Sequence, residues 1–468
     1  MTHVSASSPV SPTLSATIFR AYDIRGIVDL DLNPAGIEQI GKALASLALE
    51  AGESTLLFGC DARLSAPRLK APLLKGVLST GMNVVDLGVI PTPLLYFAAH
   101  NSPWQSGLML TASHNPANYN GIKIIHRRNC LSPEQIQQIR LRAEQGDFRQ
   151  GSGQLESRDF IPDYLARLQQ DIRLERPLKV VVDCANAVTS LVAPRLFEAL
   201  GCEVTPLFCE LDGHFPNHSP DPTVAENLSA LISEVRAQNA DLGVAFDGDG
   251  DRVVMVTDAG NIIDTDRLLM LFIPTLLPQY EHPRVVFDVK CSTLLGPLIR
   301  QYGGTAVMSR SGHSFMKQSM HESEAVIGAE FSAHVFIRDR WYGYDDGVYA
   351  AARFLELLSR QAHSADTLLQ ALPRSIVTPE LRIDVSEDRK FQLMERIKAL
   401  ASFPQGQLNV LDGVRVDFAD GWGLIRASNT TPALLLRFEA RSRQSLQAIQ
   451  ALFRELLMQV DNRLVLGF

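Results

Sequence analysis

Short apolar runs rich in β-branched residues alternate with amphipathic stretches along this chain, and three segments share one plan. In the first, a strand ends at Asp61, a helix covers Leu69–Thr80, and a second strand spans Asn83–Leu87. In the second, the strand Lys179–Val182 ends at Asp183, a helix covers Leu191–Leu200, and Cys202–Phe208 returns. In the third, Arg284–Phe287 ends at Asp288, a helix covers Leu294–Tyr302, and Thr305–Met308 returns. Each helix closes on a glycine: Gly81, Gly201 or Gly303. Strand, helix and strand in that order predict a parallel βαβ unit, and three such units predict three related α/β domains.

Each unit is followed by a further apolar run that ends in a polar loop. Gly107–Leu110 leads into T-A-S-H-N-P (Thr111–Pro116), and Leu242–Phe246 into D-G-D-G-D-R (Asp247–Arg252). Ala325–Ile327 leads into G-A-E-F-S-A-H (Gly328–His334). Ligands of open α/β sheets bind beyond the carboxyl ends of the strands, so the three loops are expected to share one cleft. From about Ile376 the pattern changes to a smaller α+β domain. Its strands are Val414–Phe418 and Leu434–Glu439, its helix is Ser445–Val460, and it carries a fourth loop, R-A-S-N-T-T-P (Arg426–Pro432). The expected divisions are a flexible arm at 1–15, α/β domains at 16–158, 159–261 and 262–373, and the α+β domain at 374–468.

Composition narrows the partners. The formal net charge is -8 and no basic block occurs, which argues against nucleic acid or an anionic membrane surface. The six cysteines include no C-x-x-C pair, and no run is apolar enough over a bilayer's thickness. A cytoplasmic protein is the expectation.

The chemistry lies in the loops. Asp247, Asp249 and Asp251 alternate with glycine, so three carboxylates can converge on a hard divalent cation, Mg²⁺ or Ca²⁺. An EF-hand is excluded, because Arg252 stands where its glycine belongs and Asp258 where its glutamate belongs. Arg252 is placed to hold a phosphate oxygen beside the metal. Ser113 lies outside any G-x-S-x-G elbow, so a Ser-His-Asp hydrolase is a poor match. A phosphate on Ser113 would add about two negative charges, which a nearby divalent cation would offset. Lys123 could move a proton if desolvation lowered its pKa. The Arg426 loop offers a guanidinium, hydroxyls and an amide to a phosphate. Glu330, Ser332 and His334 would share one face of an extended strand and could hold sugar hydroxyls.

These loops, in this order, resemble the α-D-phosphohexomutase superfamily, in particular its bacterial phosphomannomutase/phosphoglucomutase branch. The resemblance runs from F-R-A-Y-D-I-R-G (Phe19–Gly26) to the last helix. It implies four domains around a deep cleft, a phosphorylated Ser113, and Mg²⁺ held by Asp247, Asp249, Asp251 and the phosphoserine. It further implies sugar binding by Glu330 and Ser332, and a grip on the distal phosphate by Arg426, Ser428, Asn429 and Thr430. Tyr22, Arg25, Lys123, Lys290 and His313 match other active-site positions, with Lys123 and His313 as proton carriers. His114, Arg252 and His334 fall within matching motifs. The implied reaction interconverts hexose 1- and 6-phosphates through a 1,6-bisphosphate, which also serves as activator, in a monomer serving nucleotide-sugar and polysaccharide synthesis.

One departure stands out. The family's sugar loop reads G-E-x-S-G-H, whereas Ala329 here separates Gly328 from Glu330, and Ala333 replaces the second glycine. The rival branch, phosphoglucosamine mutase, carries R-x-S-G-T-E-P where this chain has R-A-S-N-T-T-P. A phosphatase or a non-catalytic sugar-phosphate sensor are more distant readings, since every catalytic loop is intact.

Overall fold

The computed structural model describes residues 14–428 and 431–468. Asn429, Thr430 and residues 1–13 of the expected arm lie outside them. The other two arm residues are ordered parts of the first domain. Leu14 is buried against its core, and the Ser15 side chain caps a short 3-10 turn.

Three sheets repeat one four-strand arrangement: the returning strand, the first strand, the strand before the polar loop, and an antiparallel fourth. In the first domain these are Asn83–Val89, Thr55–Cys60, Gly107–Leu110 and Tyr119–His126. In the second they are Glu203–Leu207, Lys179–Asp183, Leu242–Phe246 and Val253–Thr257. In the third they are Thr305–Ser309, Arg284–Asp288, Ile327–Glu330 and His334–Ile337. The first three strands of each set are parallel and the fourth is antiparallel, so the sheets are mixed. The strands before the polar loops are buried throughout, which is why they read as unbroken apolar runs. The third of them begins two residues later than its hydrophobicity suggests and runs on into Glu330.

The strand-end aspartates do one job three times. Asp61 and Asp183 each accept the backbone N–H two residues on, at 3.0 and 2.9 Å. Each then ties a neighbouring segment. Thr111 donates to Asp61 at 2.6 Å, His218 lies 3.0 Å from Asp183, and Asp288 accepts the Phe331 N–H at 3.1 Å. Two of the loops that meet at the cleft, those of Ser113 and Glu330, are thus fixed by carboxylates at the strand ends.

One apolar core runs through all three domains. It joins Leu57 and Val85, Val180 and Val244, Val285 and Ile327, and the helices Thr92–His100 and Gly347–Ser359. The fourth domain keeps a core of its own, centred on Val414, Ile425, Leu436 and Phe453 beneath an antiparallel sheet. Its junction with the third domain combines a small buried apolar cluster, Val289 with Trp422 and Leu424, and several buried polar contacts. Arg415 donates to the Val289 and Cys291 carbonyls at 2.6 and 2.8 Å, and Ser292 donates to Glu439 at 2.6 Å. Among the described residues, no helix is long and apolar enough to cross a membrane.

Candidate active site

A cleft of about 320 Å³ lies between the domains, lined by Tyr22, Arg25, Ser113, His114, Lys123, Arg252, His313, Glu330, Ser332 and His334, with Thr431 from the fourth domain. Ser113 stands at its floor, 2% exposed, with a left-handed backbone at φ 50. Such a conformation costs a non-glycine residue about 1–3 kcal/mol and needs its surroundings to hold it.

Arg63 does the holding. Its guanidinium is buried and donates to the carbonyls of Ser113 (2.7 Å), Asn115 (2.6 Å), Pro116 (2.6 Å) and Tyr119 (3.1 Å). Asp61 balances its charge at 3.1 Å. Charge-assisted bonds contribute about 1.5–3 kcal/mol each, so four of them outweigh the strain at Ser113. Sequence reasoning missed Arg63. The available signal was an arginine two residues beyond a strand-end aspartate, on the chain entering the same cleft.

The carboxylate loop comes within bonding reach of the serine. Ser113 Oγ donates to Asp247 Oδ2 at 2.7 Å. The two loops touch because Gly248 has no Cβ: one there would stand 2.4 Å from the Ser113 carbonyl oxygen. Gly250, at φ 81, makes the turn itself. Asp247, Asp249 and Asp251 are fully buried, and each offers an oxygen within 4.8 Å of the others.

Lys123 Nζ donates to Asp249 and Asp251 at 2.7 and 2.5 Å, and Thr92 donates to Asp249 at 2.5 Å. Asp249 Oδ1 and Asp251 Oδ1 remain without a hydrogen-bond partner among the described residues. Burial, then repulsion from Asp249 and Asp251, pushes the Asp247 carboxyl well above its ordinary range. Three packed carboxylates with orphaned oxygens fit a hard divalent cation. Burial alone would lower the Lys123 pKa, but the three carboxylates outweigh it and hold the ammonium above its ordinary value. The lowering that proton transfer by Lys123 requires is therefore absent while the carboxylates stand uncompensated.

The Gly328–His334 loop, expected to bind sugar, is a tight hairpin rather than an extended strand. Glu330 pairs with His334 across Phe331, Ser332 and Ala333, so the alternate-face expectation does not hold. Glu330 and Ser332 still reach the cleft, because the turn delivers them. Ala333 sits at φ 74, where the family pattern has glycine. Its carbonyl accepts the Val253 N–H at 3.0 Å, which pins the hairpin to the second domain.

His334 Nε2 accepts from Arg252 Nε at 3.1 Å, while its Nδ1 lies 3.1 Å from Asp345. Lys317 donates to the same carboxylate at 2.7 Å. Asp345 and Thr92 are further groups that motif reading did not find. His313 packs edge-on to Tyr22 with ring centroids 4.6 Å apart, and neither ring nitrogen has a hydrogen-bond partner among the described residues. Burial, reinforced by Lys317 and Lys123, holds its pKa well below the usual imidazole value. Arg25 is fixed by Asn115 at 2.7 Å and Asp23 at 2.5 Å.

Three expected site residues stand back from this cleft. Lys290 Nζ is 3.9 Å from both Asp288 and Glu330. Arg426 bonds Asp412 at 3.1 Å, and its buried Nη2 has no hydrogen-bond partner among the described residues. Ser428 accepts from Thr431, at 3.1 Å from the N–H and 2.9 Å from the hydroxyl.

Four family models match the chain in order. They are the phosphoglucomutase/phosphomannomutase α/β/α domains I, II and III over residues 16–150, 162–260 and 264–376, and the C-terminal domain over 380–456. A phosphomannomutase/phosphoglucomutase of Pseudomonas aeruginosa is 49% identical over 99% of this chain and the whole of its own. A phosphoglucomutase of Neisseria gonorrhoeae is 43% identical over 95% of this chain and 97% of its own. The crystal structure of a phosphoglucomutase/phosphomannomutase family protein from Burkholderia thailandensis superposes with a TM-score of 0.93 at 42% identity, covering 97% of this chain and all of that one. With its four-domain plan and serine-carboxylate cleft, the chain belongs to the phosphoglucomutase/phosphomannomutase family of the α-D-phosphohexomutase superfamily.

Proposed function

We propose that this enzyme interconverts hexose 1-phosphates and hexose 6-phosphates, those of mannose and glucose, through phosphorylated Ser113 and a 1,6-bisphosphate. The observation that carries the reading is the 2.7 Å contact between Ser113 Oγ and Asp247 at the floor of a cleft lined by Arg25, Lys123, Arg252, Glu330 and Ser332. Asp247, Asp249 and Asp251, with a phosphoserine oxygen, would hold Mg²⁺. When bound, that ion offsets negative charge on the transferring phosphoryl group.

The remaining steps fall to side chains. The bond from Ser113 Oγ to phosphorus breaks as the sugar's O6 or O1 bonds to it; the sugar hydroxyl gives up its proton, and the released Ser113 Oγ takes one up to become the hydroxyl that donates to Asp247. His313, kept neutral, is an acceptor for that proton, and His334 with Lys123 stands beside the same path. Arg25 and Arg252 face the phosphoryl oxygens, the latter steadied by His334. Glu330 and Ser332 hold sugar hydroxyls, with Tyr22 and His114 flanking them. After the bisphosphate turns end for end, Ser113 accepts the other phosphate.

Arg426, Ser428, Asn429, Thr430 and Lys290 grip the phosphate that is not being transferred. The separate core of the fourth domain supports a rigid-body closure that brings this loop onto the substrate. Six free cysteines suit a cytoplasmic enzyme, and a single chain supplying every group suits a monomer.

Initial rates with mannose, glucose and glucosamine 1-phosphates, with Mg²⁺ and a trace of hexose 1,6-bisphosphate, test the proposal. Fast conversion of the first two is expected. Preference for the glucosamine compound would move the chain to the phosphoglucosamine mutase branch. Phosphate release in place of isomerisation would make it a phosphatase, and no reaction would leave a sensor.

A further inference from the structure

A second cavity, of about 240 Å³, opens between the first and third domains and shares no lining residue with the Ser113 cleft. Its wall includes Arg127, Arg128, Lys317, His321 and Arg338, and no Asp or Glu is among the described residues that line it. In a chain of net charge -8, a cation-only pocket is not a by-product of composition.

The backbone strengthens the case. Arg127 and Arg128 form the two-residue loop of a hairpin in which His126 pairs with Asn129. Both are left-handed, at φ 48 and 68. That is a type I′ turn, whose centre favours Asn-Gly, and an ordinary side chain there costs about 1–2 kcal/mol per residue. Two arginines in these positions oppose local stability, and the side chains they place at the cavity offset that by reaching the Ala51 and Ala99 carbonyls while bringing charge to its wall.

Carboxylates outside the pocket wall stand beside three of its four Lys and Arg side chains, and only Arg128 has none among the described residues. Arg127 bonds the Ala51 carbonyl and stands 3.7 Å from Glu53, and Arg338 is 3.3 Å from Glu324. Lys317 is paired with Asp345 at 2.7 Å on its inner side. Arg128 donates to the Ala99 carbonyl at 2.9 Å and pairs with no carboxylate among the described residues. Burial first, and the nearby Arg128 second, lowers the His100 pKa to about 4. Tyr342, stacked on His100 with centroids 4.7 Å apart, gives the pocket a rigid side.

We propose that this cavity is a second anion site, which takes a small phosphorylated metabolite and thereby braces the first domain against the third. Planar guanidinium forks suit phosphoryl oxygens, and the volume suits a phosphoryl or pyrophosphoryl group rather than a polymer.

Inorganic pyrophosphate is the probe, titrated by calorimetry into the full chain in metal-free buffer. The Ser113 cleft is filled beforehand with an equilibrium mixture of hexose 1- and 6-phosphates. One pyrophosphate should still bind. In the double variant R127N/R128G, whose turn sequence suits the backbone better, that binding should weaken about tenfold or more while the fold persists. Arg338→Ala, at an exposed position, should show the same loss and stands in if the double variant does not fold. Binding that is unchanged in these variants, or wholly displaced by the sugar phosphates, would overturn the proposal.

Discussion

The Ser113 loop and the Glu330–His334 hairpin each place a residue with a side chain at left-handed backbone, and each does so for a different reason. At Ser113 the side chain is the proposed phosphoryl carrier, and the strain is held from behind by the Arg63 guanidinium and its four carbonyl contacts. At Ala333 the side chain is a methyl, 1% exposed, which joins a cluster with Ala245 and Val254 of the second domain. Burying one methyl contributes about 0.8 kcal/mol, close to the cost of the conformation. The first strain is kept because nothing else can do the work. The second is close to balanced by packing across a domain boundary.

That contrast can be broken at several points. Ser113→Ala keeps the backbone but removes the reacting oxygen, so turnover should fall by about five orders of magnitude or more with the fold intact. Asp249→Asn should lower kcat by about 10²–10³ and shift the Mg²⁺ titration to higher concentration; an unchanged titration would remove Asp249 from the ligand set. Arg63→Lys keeps a charge beside Asp61 but cannot reach four carbonyls. It should cut kcat about 10- to 100-fold with little change in KM for the sugar, because Arg63 acts through the position of Ser113. Activity equal to the parent chain would show that the loop holds itself. Ala333→Gly should leave stability within about 1 kcal/mol, whereas Ala333→Val, β-branched at positive φ, should destabilise by about 2 kcal/mol or more in denaturant melts.

Most of the architecture was legible because parallel strands buried on both faces leave unbroken apolar runs, and the repeat displays three of them at similar spacing. The loops were legible because their residue types are costly without a ligand. What escaped were groups defined by contacts distant in sequence. Arg63 meets its carbonyls 50 to 56 residues downstream, and Asp345 gains meaning only once His334 and Lys317 stand beside it. The hairpin form of the sugar loop escaped because alternation of polar residues is shared by a strand and a tight turn. The position of the glycines between the aspartates of D-G-D-G-D-R suggests only that they ease a turn. That holds for Gly250, but Gly248 is needed for the close approach of another domain's backbone.

The central claim is that phosphate passes through Ser113, and mass spectrometry of the intact chain and its peptides tests it most directly. The chain is incubated with hexose 1,6-bisphosphate and Mg²⁺, then freed of small molecules. It should carry one added phosphoryl group on the peptide containing Ser113, and a pulse of glucose 1-phosphate should discharge that group into bisphosphate. A chain that turns over while Ser113 stays unmodified, or that carries the phosphoryl group on another residue, would contradict the account.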